Sequence, residues 1–168
     1  AARAEDVRVW LRDVPTGLLK VGVFVNATPD EVERAMEEAG LDVAQLHGDE
    51  KSEDFAGRPL RLWRAVGVRS ASEPEPSGWF VDAFLVDTYS ANSRGGTGQV
   101  GDWSAARAFV GRSSKPVLLA GGLTPANVKA ALAAVQPWGA DVSSGVELQP
   151  GRKDLAKVRE FIERCREE

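Results

Sequence analysis

Short apolar runs alternate with amphipathic stretches along this chain, and this alternation limits the possible folds more than any other feature. Most of the runs are nearly continuous, which is typical of strands buried on both faces of a parallel sheet. The runs cover residues 21–25, 43–46, 62–66, 83–86, 116–119 and 140–142. With a helical segment at about residues 4–13 in front of them, they predict an α/β fold of one helix followed by six βα units.

The helices between the runs have recognisable start and stop residues. Thr28 is the expected N-cap, Pro29 the first helical residue and Glu31 the second half of a capping box. Gly40 is expected to end that helix, and the Thr-Pro pair at 124–125 predicts a second capped start. The last helix is expected to bury one apolar face, formed by Leu155, Val158, Phe161, Ile162 and Cys165.

Composition excludes several classes of protein. The net charge of −4 argues against a nucleic-acid partner, and no apolar run is long enough for a transmembrane helix. The charged first residues do not resemble a secretory signal. One histidine and one cysteine give no ligand set for a zinc site and no intramolecular disulfide. We therefore expect a cytoplasmic, metal-free chain forming a single domain over residues 1–168.

Alternating βα units fit two architectures, an open doubly wound sheet or an eight-fold barrel, and periodicity does not choose between them. In both architectures, ligands bind at the carboxyl ends of the strands. The strand ends therefore supply the candidate site residues, and five of them are informative: Asn26, then residues 47–50, 87–88, 120–123 and 143–147.

Small residues at two of these ends indicate a phosphate site. Gly121 and Gly122 precede a helix start, and Ser144 and Gly145 follow the last strand. Such residues leave backbone N–H groups open to an anion. The alternative is that these glycines only permit tight turns.

Three side chains, two at strand ends and one inside a strand, are candidates for chemistry or for substrate binding. Asp87 ends an apolar strand, where partial desolvation suits a general acid, although an N-cap or an ion pair is the alternative. His47, the only histidine, is more often a structural hydrogen-bonding residue at such a position. Asp141 is placed inside the last strand, where it needs a polar partner or a ligand.

Two other features are assigned no catalytic role. Residues 96–101 match Gly-x-Gly-x-x-Gly, but the motif does not follow a strand directly and lacks the acidic residue about twenty positions on that a dinucleotide site needs. A mobile loop is the expected interpretation. Cys165 is expected to be a buried structural thiol.

Taken in order, the strand ends resemble those of the phosphoribosylanthranilate isomerase family. The most specific stretches are Ala-Gly-Gly-Leu at 120–123 and Asp-Val-Ser-Ser-Gly-Val-Glu at 141–147. The first of these belongs to a longer match over residues 119–128, and the other matching stretches are residues 21–26, 45–50, 85–88, 95–98, 102–103, 150–151 and 153–154. The resemblance covers nearly the whole chain and implies the (βα)8-barrel (TIM-barrel) fold.

The resemblance also implies an Amadori rearrangement without a cofactor. N-(5-phosphoribosyl)anthranilate becomes 1-(2-carboxyphenylamino)-1-deoxyribulose 5-phosphate, in tryptophan biosynthesis. Asp87 corresponds to the family's general acid. Gly121, Gly122, Ser144 and Gly145 correspond to its phosphate-binding backbone, and Gln45, His47 and Asp141 to substrate-binding positions. The implied partner is a phosphorylated aminosugar.

One departure from the family is large. The family begins with a strand ending in Lys-Ile-Cys-Gly, whose cysteine is the general base, and these 168 residues contain no such motif. About six of the eight βα units are expected here, so this chain alone is expected to lack turnover. Open sheet edges are expected to favour self-association. Two alternatives are a non-catalytic phosphate-binding barrel fragment and another phosphate-binding barrel, such as indole-glycerol-phosphate synthase. The second is weaker because no apolar run ends in the lysine which that family needs.

Overall fold

The computed structural model describes residues 2–88 and 103–167. The described helices are α1 (Ala4–Trp10), α2 (Pro29–Ala39), α3 (Trp103–Arg112), α4 (Val128–Val135) and α5 (Leu155–Arg166). The described strands are β1 (Val21–Phe24), β2 (Val43–Leu46), β3 (Leu62–Gly67), β4 (Ala83–Asp87), β5 (Val117–Ala120), β6 (Gly139–Ala140), β7 (Glu147–Gln149) and β8 (Arg152–Lys153). Short 3₁₀ turns lie at Leu11–Asp13, Ser52–Phe55 and Ser144–Val146. All six predicted strands are present, with small differences in their bounds.

The chain divides into two compact units. The first comprises Ala1–Ala65 and Pro76–Ala83, and the second comprises Val66–Glu75 and Phe84–Glu168. In the first unit β1, β2 and β3 pair in parallel and in chain order. All four residues of β2 are buried, so both faces of this central strand are covered. The nearly continuous apolar run at 43–46 is thereby explained.

Helix α2 of the first unit has the predicted ends. The Thr28 hydroxyl accepts a hydrogen bond from the Glu31 backbone N–H at 3.4 Å, and the Glu31 carboxylate accepts one from the Thr28 N–H at 2.8 Å. Pro29 is the first helical residue, and Gly40 ends the helix with a left-handed φ of 68°. The predicted capping box is confirmed, since both of its reciprocal bonds are present.

In the second unit β4, β5 and β6 pair in parallel and in chain order. The core between this sheet and α3 includes Phe84 and Phe109, whose rings meet edge to face at 5.7 Å and 85°. This geometry is favourable for aromatic rings because it brings a positive edge to a negative face. It also places α3 firmly against β4, the strand that ends at Asp87.

Two predicted element boundaries in the second unit are wrong. Strand β6 has only two residues, so Asp141 follows the strand and is exposed instead of lying inside it. Helix α4 begins at Val128 and not at the Thr-Pro pair. The reason is Asn127, whose side chain accepts a hydrogen bond from the Thr124 N–H and donates one to the Gly122 carbonyl. These bonds hold residues 122–127 as a turn before the helix starts.

The predicted apolar face of α5 is only partly buried. Phe161 is buried, but Leu155 is 70% exposed and Ile162 is also exposed. Cys165 is half-buried rather than fully buried. Helical periodicity shows which residues share a face, but whether a neighbour covers the whole face depends on tertiary packing. None of the helices in the described part of the chain has the length and apolar character needed to span a bilayer.

Candidate functional site

The end of β4 meets the end of β5 through a glycine. Asp87 is the last residue of β4, and its register partner is Ala120, the last residue of β5. Gly121 follows with a φ of 94°, and a Cβ built on it would lie 2.6 Å from the Asp87 Oδ1 atom. The Asp87 carboxylate therefore lies directly against the Gly121 backbone. A residue with a side chain would have to displace it and would also be strained at this φ.

The two predicted phosphate-binding segments also touch each other. A Cβ built on Gly145 would collide with the Leu123 carbonyl, so the turn at Ser144–Val146 packs on the backbone of Leu123 and Thr124, directly after the two glycines. Gly122 has a left-handed φ of 64°. The structure thus brings together the Asp87 carboxylate, the two glycines after β5 and the glycine turn after β6. A cluster of small residues and accessible backbone of this kind can hold an anion.

A lysine that the sequence patterns did not single out holds the turn in place. The Lys153 ammonium donates to the Ser143 carbonyl at 2.8 Å, to the Ser143 hydroxyl at 3.3 Å and to a Glu147 carboxylate oxygen at 2.9 Å. The hydrogen bond from Lys153 lowers the pKa of the Glu147 carboxyl below its ordinary value. The residues at 153–154 matched the family pattern, and this match was the only signal for Lys153 in the sequence.

Asp141 lies close to this cluster in the chain and in the sheet. Its backbone N–H donates to the Leu119 carbonyl at 2.8 Å, which extends the β5–β6 pairing by one bond. Its side chain is exposed. Asp141 therefore follows the carboxyl end of β6, two residues before the segment that carries Ser144 and Gly145.

Gln45 and His47 belong to the first unit. Gln45 is buried in β2, and its register partners are Val23 in β1 and Trp63 in β3, so the three share one face of that sheet. His47 is one residue beyond the end of β2, and its backbone N–H donates to the Phe24 carbonyl at 2.8 Å. Its side chain is exposed.

A cavity of about 490 Å³ in the first unit lies beside the start of α2. Its lining is Asn26, Ala27, Thr28, Pro29, Asp49, Glu50, Lys51, Asp54, Phe55 and Arg58. None of the eight predicted site residues lines it. The N-terminal N–H groups of α2 are partly satisfied by its own capping box, which leaves fewer donors for a ligand there.

No group of three or more histidine, cysteine, aspartate and glutamate side chains within residues 2–88 and 103–167 could hold a metal ion. Cys165 lies on α5, where burial raises the pKa of its thiol. A raised pKa disfavours the thiolate, the form in which cysteine acts as a base or a nucleophile. The glycine motif at 96–101 lies outside the described residues.

Comparison with known proteins identifies a family that matches most of the chain. The family model for N-(5'-phosphoribosyl)anthranilate (PRA) isomerase matches residues 1–164. The N-(5'-phosphoribosyl)anthranilate isomerase of Pelobacter propionicus is 40% identical over 164 residues, which are 97% of this chain and 78% of that protein.

Solved structures that are similar to this chain have the same family name. Phosphoribosyl anthranilate isomerase from Thermus thermophilus is similar with a TM-score of 0.82 and 34% identity, over 96% of this chain and 79% of that one. A second similar structure, with a TM-score of 0.79 and 30% identity, is phosphoribosyl anthranilate isomerase in complex with reduced 1-(o-carboxyphenylamino)-1-deoxyribulose 5-phosphate. The similarity to this second structure extends over 98% of our chain and 79% of the chain in that structure.

These similarities confirm the expected fold class, an α/β chain of the (βα)8-barrel family. They also confirm that the resemblance read from the strand ends was to the right family. The chain belongs to the N-(5'-phosphoribosyl)anthranilate isomerase family, whose members are enzymes of tryptophan biosynthesis.

Proposed function

We propose that this chain binds N-(5-phosphoribosyl)anthranilate and supplies the general acid for its rearrangement to 1-(2-carboxyphenylamino)-1-deoxyribulose 5-phosphate. The observation that carries the proposal is the contact between Asp87 and Gly121. The Asp87 carboxyl group lies beside the backbone that we propose to hold the phosphorylated sugar.

The phosphate group is the anchor of this substrate. Backbone N–H groups of Gly121, Gly122, Ser144 and Gly145 are the proposed donors, since their segments pack together and carry little or no side chain. The Lys153 ammonium is paired with the Glu147 carboxylate, so its proposed contribution is to hold the turn that follows Ser143 in a shape that can receive the phosphate. Held by its phosphate, the sugar can be presented to Asp87 in one orientation.

Asp87 then acts on the furanose ring oxygen. Its proton goes to that oxygen, the bond from C1′ to the ring oxygen breaks, and the anilino nitrogen forms an iminium while the ring oxygen becomes a hydroxyl. A general base takes the proton from C2′, which gives an enolamine. The enolamine then tautomerises to the ketone, with the enol proton lost and a proton gained at C1′. An acid placed in this way contributes roughly 10²–10⁴-fold to the rate.

The general base is the second part of the proposal. The family's Lys-Ile-Cys-Gly motif is not among these 168 residues, and Cys165 has its pKa raised by burial. Turnover is therefore expected only when a segment bearing that cysteine is present. The 168 residues alone are expected to bind the reduced product analogue without measurable turnover, which is the behaviour of a phosphate-binding barrel fragment.

Replacing the acid tests the function. With the cysteine-bearing segment present, Asp87→Asn should lower kcat by at least about 10²-fold. It should leave the affinity for the reduced product analogue nearly unchanged in calorimetry. The matched control is Asp30→Asn, which removes a carboxylate that is 82% exposed and paired with Arg58, and which should not change kcat. Normal turnover by Asp87→Asn would refute the assignment.

Three further expectations remain proposals. Gln45, His47 and Asp141 are proposed to contact the substrate. Self-association is proposed through β1, whose described pairing is with β2 alone and whose Val23 side chain is 59% exposed. Light scattering of the purified chain tests it, and a monodisperse monomer would contradict it. A single domain is tested by one cooperative unfolding transition, and a cytoplasmic location by cell fractionation.

A further inference from the structure

A buried ion pair in the first unit links the middle of β3 to the segments that follow β1 and β2. Its carboxylate is Glu50, whose side chain is 2% exposed, and its cation is Arg64 of β3, which is 14% exposed. The Arg64 Nη1 atom lies 2.9 Å from the Glu50 Oε2 atom. Burial of both charges is costly, so such a pair is weak evidence for stability by itself. The partners of its other hydrogen bonds say more about its role.

Glu50 binds backbone on two sides. One carboxylate oxygen accepts from the Asn26 N–H at 2.7 Å, and the other accepts from the Gly48 N–H at 2.9 Å. Asn26 follows β1 with a left-handed φ of 56°, a conformation that asparagine tolerates better than most residues. A single buried carboxylate therefore fixes the backbone after β1 to the backbone after β2.

Arg64 binds the backbone of the segment that follows β2. Its guanidinium donates to the carbonyl of Leu46 at 3.1 Å and to the carbonyl of Gly48 at 2.8 Å. The Trp79 ring lies 5.0 Å from the guanidinium carbon and covers it. A planar guanidinium can make these bonds at the same time, and a lysine ammonium cannot match that geometry.

His47 lies between Leu46 and Gly48, whose carbonyls both accept hydrogen bonds from Arg64. Its own N–H donates to the Phe24 carbonyl, and the Asp49 N–H donates to the Asn26 side-chain oxygen at 2.6 Å. A Cβ built on Gly48 would collide with that same oxygen, so the segment has no room to shift toward Asn26. The backbone of residues 46–49 is thus fixed on both sides of the exposed histidine.

We propose that Glu50 and Arg64 are positioning residues that hold the 46–49 backbone so that His47 is presented to the substrate. The inference rests on the proposed function in one respect, namely the role of His47 in substrate binding. The pair acts through the histidine and does not itself touch the substrate.

The test is a double-mutant cycle on the affinity for the reduced product analogue, measured by calorimetry on the whole chain. Glu50→Gln keeps the shape of the side chain and removes its charge, and it should weaken binding about tenfold. His47→Ala should weaken binding to a similar degree. The double variant should be no weaker than His47→Ala, since a mispositioned histidine and an absent one are equivalent. Asp30→Asn, which breaks an exposed pair, is the control and should leave affinity unchanged.

Arg64→Lys is the second variant and keeps the charge, the burial and most of the volume. It should weaken analogue binding about tenfold while the thermal midpoint shows a folded protein. Additive losses in the Glu50→Gln and His47→Ala double variant would overturn positioning while leaving the proposed function standing. Unchanged affinity in His47→Ala would overturn both the His47 assignment and this inference. Loss of analogue binding by the unmodified chain would count against the proposed function itself.

Discussion

Replacing Gly121 by alanine tests the contact on which the site depends. The new Cβ would lie 2.6 Å from the Asp87 Oδ1 atom, 2.8 Å from the Thr88 backbone nitrogen and 2.9 Å from the Thr88 hydroxyl. Ordinary Cβ contacts begin at 3.4 Å, so the Asp87 carboxylate must move by about 0.8 Å, the difference between 3.4 and 2.6 Å. Thr88 gives little room, because it is buried and its hydroxyl is bonded to the Ala120 carbonyl.

The expected effect has two separable parts. A displacement of this size at a catalytic group lowers kcat/KM by about 10²-fold. The left-handed φ costs about 1–2 kcal/mol of stability, and crowding costs about 1–3 kcal/mol more. Gly57→Ala is a matched control, because Gly57 has a φ of 73° and no atom within 4 Å of its built Cβ. The Gly57→Ala variant should therefore lose only the stability that the left-handed φ costs, and it should keep full activity.

The assay is the isomerase rate with the cysteine-bearing segment present, alongside the midpoint of chemical unfolding. Gly121→Ala should lose both activity and stability, whereas Gly57→Ala should lose stability alone. A folded Gly121→Ala variant that keeps its kcat/KM, and whose stability falls no more than that of Gly57→Ala, would contradict this expectation. The Asp87 carboxyl group would then not depend on the space that Gly121 provides.

Three other predictions concern stability and its dependence on pH. Thr28→Ala removes the hydroxyl half of the capping box and should cost about 1 kcal/mol in urea unfolding without changing analogue affinity. Phe84→Ala empties a core position and removes the ring contact with Phe109, so it should cost about 3–5 kcal/mol. The pKa of Glu147 is lowered by Lys153, so its contribution is present above the ordinary value of 4.5 and is lost as pH falls below it. Lys153→Met should therefore reduce the loss of thermal midpoint on acidification and weaken the binding of inorganic phosphate; an unchanged acid dependence would contradict this.

Much of the fold could be predicted from local patterns. The run at 43–46 coincides with β2, and the residues at 28–31 and Gly40 have their predicted roles at the ends of α2. Such features depend on residues a few positions apart, so the sequence displays them directly. The wrongly predicted start of α4 depends instead on a side chain that binds the backbone before the helix. The Asn127 side chain competes for backbone groups near Thr124, and nothing in the apolar pattern reports that competition.

The candidate site shows the same division. Strand order was enough to nominate Asp87, Gly121 and Gly145, because parallel strands of one sheet end at the same edge. The patterns did not single out Lys153 or the pairing of Glu50 with Arg64. Lys153 lies 10 residues from its partner Ser143, and Arg64 lies 14 residues from Glu50. Helical or strand periodicity does not relate residues at these separations.

The sequence alone determined the succession of strands and helices and the kinds of side chain at each strand end, because periodicity, caps and turn residues act over short stretches. Tertiary structure decided which of those ends touch. The contacts of Gly121 with Asp87 and of Gly145 with Leu123 are made by residues 34 and 22 positions apart. Close packing sets such distances to within a few tenths of an ångström, and the chemistry proposed for Asp87 depends on them.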